Sequence, residues 1–125
     1  MKKFLAFQYN KPSLEIHEIG NEIHELFISS LSEYGYKVIP DNQYDPDWTI
    51  LLEIEEKVFV LVIGYIRTQL HSWLVSFEDA SHNTFDDEEV LVQLTSIINN
   101  IIMPYQNISN VVWYENLDFL KPNSK

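Results

Sequence analysis

His71, Ser72, Ser76, Glu78, Asp79, Ser81 and His82 place the residue types of a nucleophilic triad in one short stretch of this 125-residue chain. Such a triad needs a hydroxyl nucleophile, an imidazole base and a carboxylate that holds the imidazole in one tautomer. The framework around them is missing. No Gly-x-Ser-x-Gly elbow occurs, and three glycines in the whole chain leave few of the tight turns that build oxyanion or phosphate cradles. Paired carboxylates for glycoside chemistry are abundant among 19 Asp and Glu residues, but nothing selects one pair. We assign no catalytic residue.

Metal chemistry fares no better. The segments Glu15-Ile16-His17-Glu18 and Glu22-Ile23-His24-Glu25 echo each other, yet His17 and His24 stand two helical turns apart with Asn21 on the turn between them. The metalloprotease spacing of two histidines four residues apart is absent. The Asp41, Asp45, Asp47 loop suggests calcium, and a loop begun at Asp45 puts Glu56 at the last ligand position. Ile50 then replaces the required glycine, and the residues after it look like a strand. With no cysteine, thiol catalysis, zinc thiolates and disulfides are excluded. No metal or other cofactor is expected.

Charge is more informative than any motif. From Thr68 to Leu120 there is no Lys or Arg, while Glu78, Asp79, Asp86, Asp87, Glu88, Glu89, Glu115 and Asp118 fall in that span; the net charge is −11. Such a chain repels phosphate, so nucleic acid and anionic membrane are disfavoured and a basic protein is the expected partner. Candidate partner-binding residues are Asp41, Asp45, Asp47, Glu53, Glu78, Asp79, Asp86 and Asp87. Asp86 to Glu89 also suit a helix N-terminus, where the helix dipole stabilises acids. Glu15, Glu18, Glu22 and Glu25 form an acidic stripe that reads as a solvated face or as a contact surface. Arg67, the single arginine, is expected to pair with a neighbouring carboxylate.

The elements that must position these residues follow from periodicity. Asn10-Lys11-Pro12-Ser13 is a start signal, and Ile16, Ile19, Ile23, Leu26, Phe27, Leu31 and Tyr34 recur at helical spacing before Gly35. This predicts a helix over 13–34. Phe4 to Tyr9 reads as a short strand or an ordered arm, and Tyr36 to Ile39 as a possible short strand. Trp48 to Glu55, Val58 to Ile66 and Ser72 to Glu78 read as a three-strand meander, the first two strands joined as a hairpin at Glu55-Glu56-Lys57. Asp86 and Glu89 make a capping box for a second helix with Val90, Leu94, Ile97, Ile98, Ile101 and Ile102 on its apolar face, stopped by Pro104. Val111 to Tyr114 reads as a last strand, and the chain from about 118 as a fraying tail.

The order helix-strand-strand-strand-helix-strand, with a possible extra N-terminal strand, indicates one α+β domain over 1–125 with an antiparallel sheet. In that hairpin Leu52, Ile54, Phe59 and Leu61 share one face. Leu51, Val58, Val60, Val62 and Leu74 share the other, rimmed by Glu53, Glu55 and Glu78. Either both helices cover the first face and leave the second as an acid-rimmed apolar interface, or one helix covers each. Lys2 and Lys3 precede an apolar stretch broken by Gln8, Asn10 and Lys11 with no cleavage signal, and the near-apolar run Val58 to Ile66 is too short to span a bilayer. A cytoplasmic location is expected.

The first helix, the Trp48-led meander through Val62-Ile63-Gly64-Tyr65 and Trp73, the second helix and the Val111-Val112-Trp113-Tyr114 strand resemble small acidic bacterial immunity proteins. These belong to contact-dependent inhibition and other polymorphic toxin systems. The resemblance is one of architecture and composition, and it carries over no functional residue. It implies a protein, monomeric or weakly dimeric, that binds a basic toxin domain such as a nuclease and occludes its active site. A second reading is a type III secretion chaperone, similarly small and acidic, although a further strand and C-terminal helix expected there have no counterpart after Leu120. A third is a small enzyme of unknown reaction.

Overall fold

The structure, a computed structural model, describes residues 2–41, 48–54, 56–69, 71–79 and 88–120. In chain order the elements are β1 (Phe4–Tyr9), α1 (Ile16–Glu33), β2 (Lys37–Asp41), β3 (Trp48–Ile54), β4 (Lys57–Tyr65), β5 (Ser72–Asp79), α2 (Glu88–Ile102), β6 (Ile108–Tyr114) and the short 3-10 helix η1 (Asp118–Leu120). The strands form one six-stranded sheet ordered β2-β3-β4-β5-β1-β6, with every neighbouring pair antiparallel. The predicted α+β class holds, and both optional strands exist.

Helix α1 starts three residues later than its periodicity predicts, because Lys11 to Leu14 close a turn through the Leu14 N–H and the Lys11 carbonyl. Its end is fixed by Gly35 at φ 92°, where the Tyr36 N–H reaches the Leu31 carbonyl and the Gly35 N–H that of Ser32. This double bond pattern satisfies carbonyls the helix leaves open and needs a residue tolerant of the left-handed region. Helix α2 ends at Ile102 before Pro104, as expected; the Asp86 half of its capping box lies outside the described residues.

The β3–β4 hairpin pairs Ile54 with Lys57, so its connection is Glu55-Glu56. The face assignment from sequence takes Glu56 and Lys57 as the tip, one residue further on. The cross-strand partners move by an even step, so every side chain keeps its predicted face. Glu56 holds φ 69°, a region that costs a side-chain-bearing residue roughly 1–2 kcal/mol. Glu56→Gly is therefore expected to raise stability by up to about 1 kcal/mol once glycine's greater unfolded-state freedom is subtracted, measured as a higher urea midpoint at unchanged slope.

Strand β6 begins at Ile108, three residues before the expected start. Asn110 adopts φ 52° where the β1–β6 register shifts between Ala6 and Gln8, and its amide bonds to Gln8. A bulge that admits a polar residue disguises the strand as loop. The fraying tail also needs correction over 118–120: Asn116 Oδ1 accepts the Asp118 N–H at 2.9 Å, and Phe119 stacks on Tyr114 with ring centroids 3.8 Å apart.

Both helices lie on one side of the sheet. Leu5, Phe7 and Tyr9, Ile50 and Leu52, Phe59, Leu61 and Ile63, and Trp73, Val75 and Phe77 point to that side and join Ile23, Phe27 and Leu31 of α1 and Leu94 and Ile98 of α2 in a single buried cluster. The Trp48 Nε1–H donates to Asn21 of α1 at 2.9 Å, and the Trp113 Nε1–H to Asn99 of α2 at 2.9 Å. Indole rings thus bury their apolar bodies under each helix while their N–H groups stay bonded. Buried His24 of α1 donates through Nε2 to the Thr49 carbonyl at 3.0 Å, tying α1 to β3.

Candidate interaction face

Among the described residues, the opposite side of the sheet is covered by neither α1 nor α2 and meets only the short η1. The register across it is continuous. Lys37 stands beside Glu53 and Glu53 beside Val58; Ile39 stands beside Leu51, Leu51 beside Val60, and Val60 beside Glu78. Further along, Val62 stands beside Ser76, Ser76 beside Phe4 and Phe4 beside Tyr114, while Gly64, Leu74, Ala6 and Val112 make the next row. The β-branched residues on this side suit a pleated surface, which explains why β4 is apolar on both faces.

The face divides into two regions. Near the β6 edge, η1 brings Phe119 onto Tyr114, and Leu120 reaches a groove over β4 and β5. Towards the β2 edge no described element lies over Ile39, Leu51 and Val58. Ile39 is 45% and Val58 39% exposed, while Val60, the partner of Leu51 on β4, is buried. An apolar strip of this kind, with carboxylates on either flank, has the composition of a protein interface centre and its rim.

Of the eight acids singled out from sequence, Glu53 and Glu78 are brought together, on either side of the Val58–Val60 stretch. Glu53 is paired with Lys37 Nζ at 3.3 Å, a largely exposed contact worth at most about 1 kcal/mol. Asp41 ends β2 in register with Thr49. Asp79 ends β5 in register with Phe59. Asp45, Asp47, Asp86 and Asp87 lie outside the described residues.

The triad residues are spread rather than gathered. Ser72 and Glu78 lie on the same strand six residues apart, a separation of roughly 20 Å at strand rise. Ser81 and His82 lie outside the described residues. Among the described residues no group of three or more His, Asp or Glu side chains could hold a metal ion. The acidic stripe on α1 is relieved from outside the helix. Lys11 Nζ donates to Glu22 Oε1 at 2.6 Å, which raises the Lys11 pKa, and the Tyr9 hydroxyl lies 3.5 Å from Glu22 Oε2 and 3.4 Å from the Tyr105 hydroxyl. Burial, then Tyr105, pushes the Tyr9 phenol above its ordinary range.

Two features of the site were not foreseen. Ile39 completes the strip because β2 pairs with β3 across the loop that separates them, and a strand of five residues containing Pro40 gives a weak signal. The η1 cover over the other half is foreshadowed only by Asn116, whose side chain closes the turn that returns Phe119 to the sheet.

Fold and face define a class: an α+β protein with a fully antiparallel six-stranded sheet, both helices on one side, and an apolar, acid-flanked strip on the other. Comparisons with family models, with curated proteins and with solved structures find no match to this chain. Among the described residues, no helix is long and apolar enough to cross a membrane.

Proposed function

We propose that this chain is an immunity protein of a contact-dependent inhibition or other polymorphic toxin system, acting in the cytoplasm as a monomer or weak dimer until it binds a basic toxin domain. The observation that carries the reading is the juxtaposition of Ile39, Leu51 and Val58 with Glu53 and Glu78 on the sheet face away from α1 and α2, in a chain of net charge −11. Carboxylates there meet the Lys and Arg side chains a nuclease uses to hold phosphate, which speeds encounter and selects the partner. The apolar strip supplies the desolvated contacts that set residence time. Inhibition is steric: this chain, once bound, occludes the toxin cleft that substrate would enter.

The test is recovery of the tagged protein from its native host at low and at high salt, with bound proteins identified by mass spectrometry. A single stoichiometric basic partner, toxic when produced alone and harmless when produced with this chain, is the expected result. Several exported effectors would point instead to a secretion chaperone. No reproducible partner at either salt would remove the binding reading.

A further inference from the structure

The groove beneath η1 reverses the charge of the molecule around it. It measures about 400 Å³, within the range of small-molecule sites, and its floor is apolar: Val62 and Leu74 from the sheet, with Leu120 folded over from η1. Gly64 lies on the same floor and contributes no side chain. At one end are Arg67 and Thr68. In a chain with 19 acidic and eight basic residues, none of the described lining residues is acidic, and the one charged side chain among them is the only arginine in the sequence.

Arg67 was expected to be neutralised by a neighbouring carboxylate. Among the described residues none pairs with it; the two ion pairs found there are Lys11 with Glu22 and Lys37 with Glu53. Its backbone is well fixed. The Gln69 N–H donates to the Ile66 carbonyl, the Ser72 N–H to that of Gln69 and the Ile66 N–H to that of Ser72, so Arg67 stands in a closed turn anchored by buried Ile66. Glu78, the acid of β5 on this face, lies six residues from Ser72, roughly 20 Å along the strand, which is more than two screening lengths at physiological salt.

From this arrangement we infer that the groove is a binding site for a hydrophobic monocarboxylate, its apolar body between Leu74, Val62 and Leu120 and its carboxylate on Arg67 with the Thr68 hydroxyl alongside. A guanidinium presents two parallel N–H donors in the geometry a carboxylate accepts, and the apolar floor removes the competing water from one side. The site is separate from the Ile39–Leu51–Val58 strip, which lies at the other end of β4, and it does not depend on the immunity reading.

Calorimetric titration with 4-phenylbutyrate, 4-phenylbutanol and 4-phenylbutylammonium tests it, with methyl chemical shifts of Val62, Leu74 and Leu120 locating the ligand. The carboxylate is expected to bind about tenfold or more tightly than the alcohol, and the ammonium most weakly, as one charge-assisted contact implies. Arg67→Gln should bring the carboxylate down to the level of the alcohol, and Arg67→Lys should restore part of the difference. Equal binding of acid and alcohol, an unchanged affinity in Arg67→Gln, shifts at other methyls, or no binding at millimolar concentration would each overturn the assignment. So would binding that appears only after residues 121–125 are removed, which would make the chain's own terminus the occupant. Arg67 is exposed and outside the core, so loss of folding will not obscure the reading.

Discussion

Replacing Gly20 with valine is expected to lower the unfolding free energy by about 1–3 kcal/mol, although valine is the better helix former of the two. A Cβ built at this position would stand 2.2 Å from Cη2 and Cζ2 of Trp48 and 2.6 Å from its Cε2, separations at which one group must move. The indole is poorly placed to do so. Its Nε1–H is bonded to Asn21, and its ring meets that of Trp73 edge-on at 5.7 Å, with Trp73 only 1% exposed. Pushing Trp48 aside therefore disturbs a buried aromatic pair and lifts α1 from β3. Alanine separates the two contributions. In an open helix it gains roughly 1 kcal/mol over glycine, whereas here the same Cβ meets the ring, so Gly20→Ala is expected to fall below the parent. Urea unfolding of both variants at unchanged slope measures this. An alanine variant as stable as the parent would show that Trp48 has room to rotate.

That glycine marks where sequence reasoning stops. The apolar spacing of α1 was plain, but nothing in Glu18-Ile19-Gly20-Asn21 says that an indole from β3 rests on Gly20. The alternation of β3 to β5 was equally plain, because Trp73, Val75 and Phe77 contrast with Ser72 and Ser76. Which face takes the helices was not, since Val58, Val60 and Val62 are as apolar as Phe59, Leu61 and Ile63. The choice is made at long range by the tryptophans, whose N–H groups find Asn21 and Asn99 on the two helices. The place of β1 between β5 and β6 is a pairing of distant segments that no local pattern in Phe4–Tyr9 encodes. Of the candidate contacts, Glu53 and Glu78 could be placed together because hairpin register fixes their face. For Arg67 no carboxylate partner stands among the described residues, and an acidic composition alone says nothing about which acids reach it.

Charge reversal at both flanks of the strip, Glu53→Lys with Glu78→Lys, is expected to slow association with the proposed basic partner by on the order of 10–100-fold at low salt. The two acids stand on strands on either side of β4, so the double variant replaces an attractive rim by a repulsive one without touching the apolar strip between them. Because the effect is a field rather than a contact, it should shrink as salt is raised, while the dissociation rate changes less. Leu51→Asp is the complementary change. It buries a charge at the centre of the interface and should act chiefly on dissociation, since desolvating an unpaired carboxylate has no compensation there. Folding supplies the control. Glu53 is a partly exposed partner of Lys37, and losing that pair costs at most about 1 kcal/mol; urea unfolding of each single variant and of the double variant checks the fold before rates are compared. Association rates measured by stopped flow across a salt series read the result directly. If the double variant binds as fast as the parent at low salt, the partner docks elsewhere and the Ile39–Leu51–Val58 strip is not the interface. If it loses rate only at low salt while Leu51→Asp loses residence time at every salt, the rim steers the partner and the strip holds it.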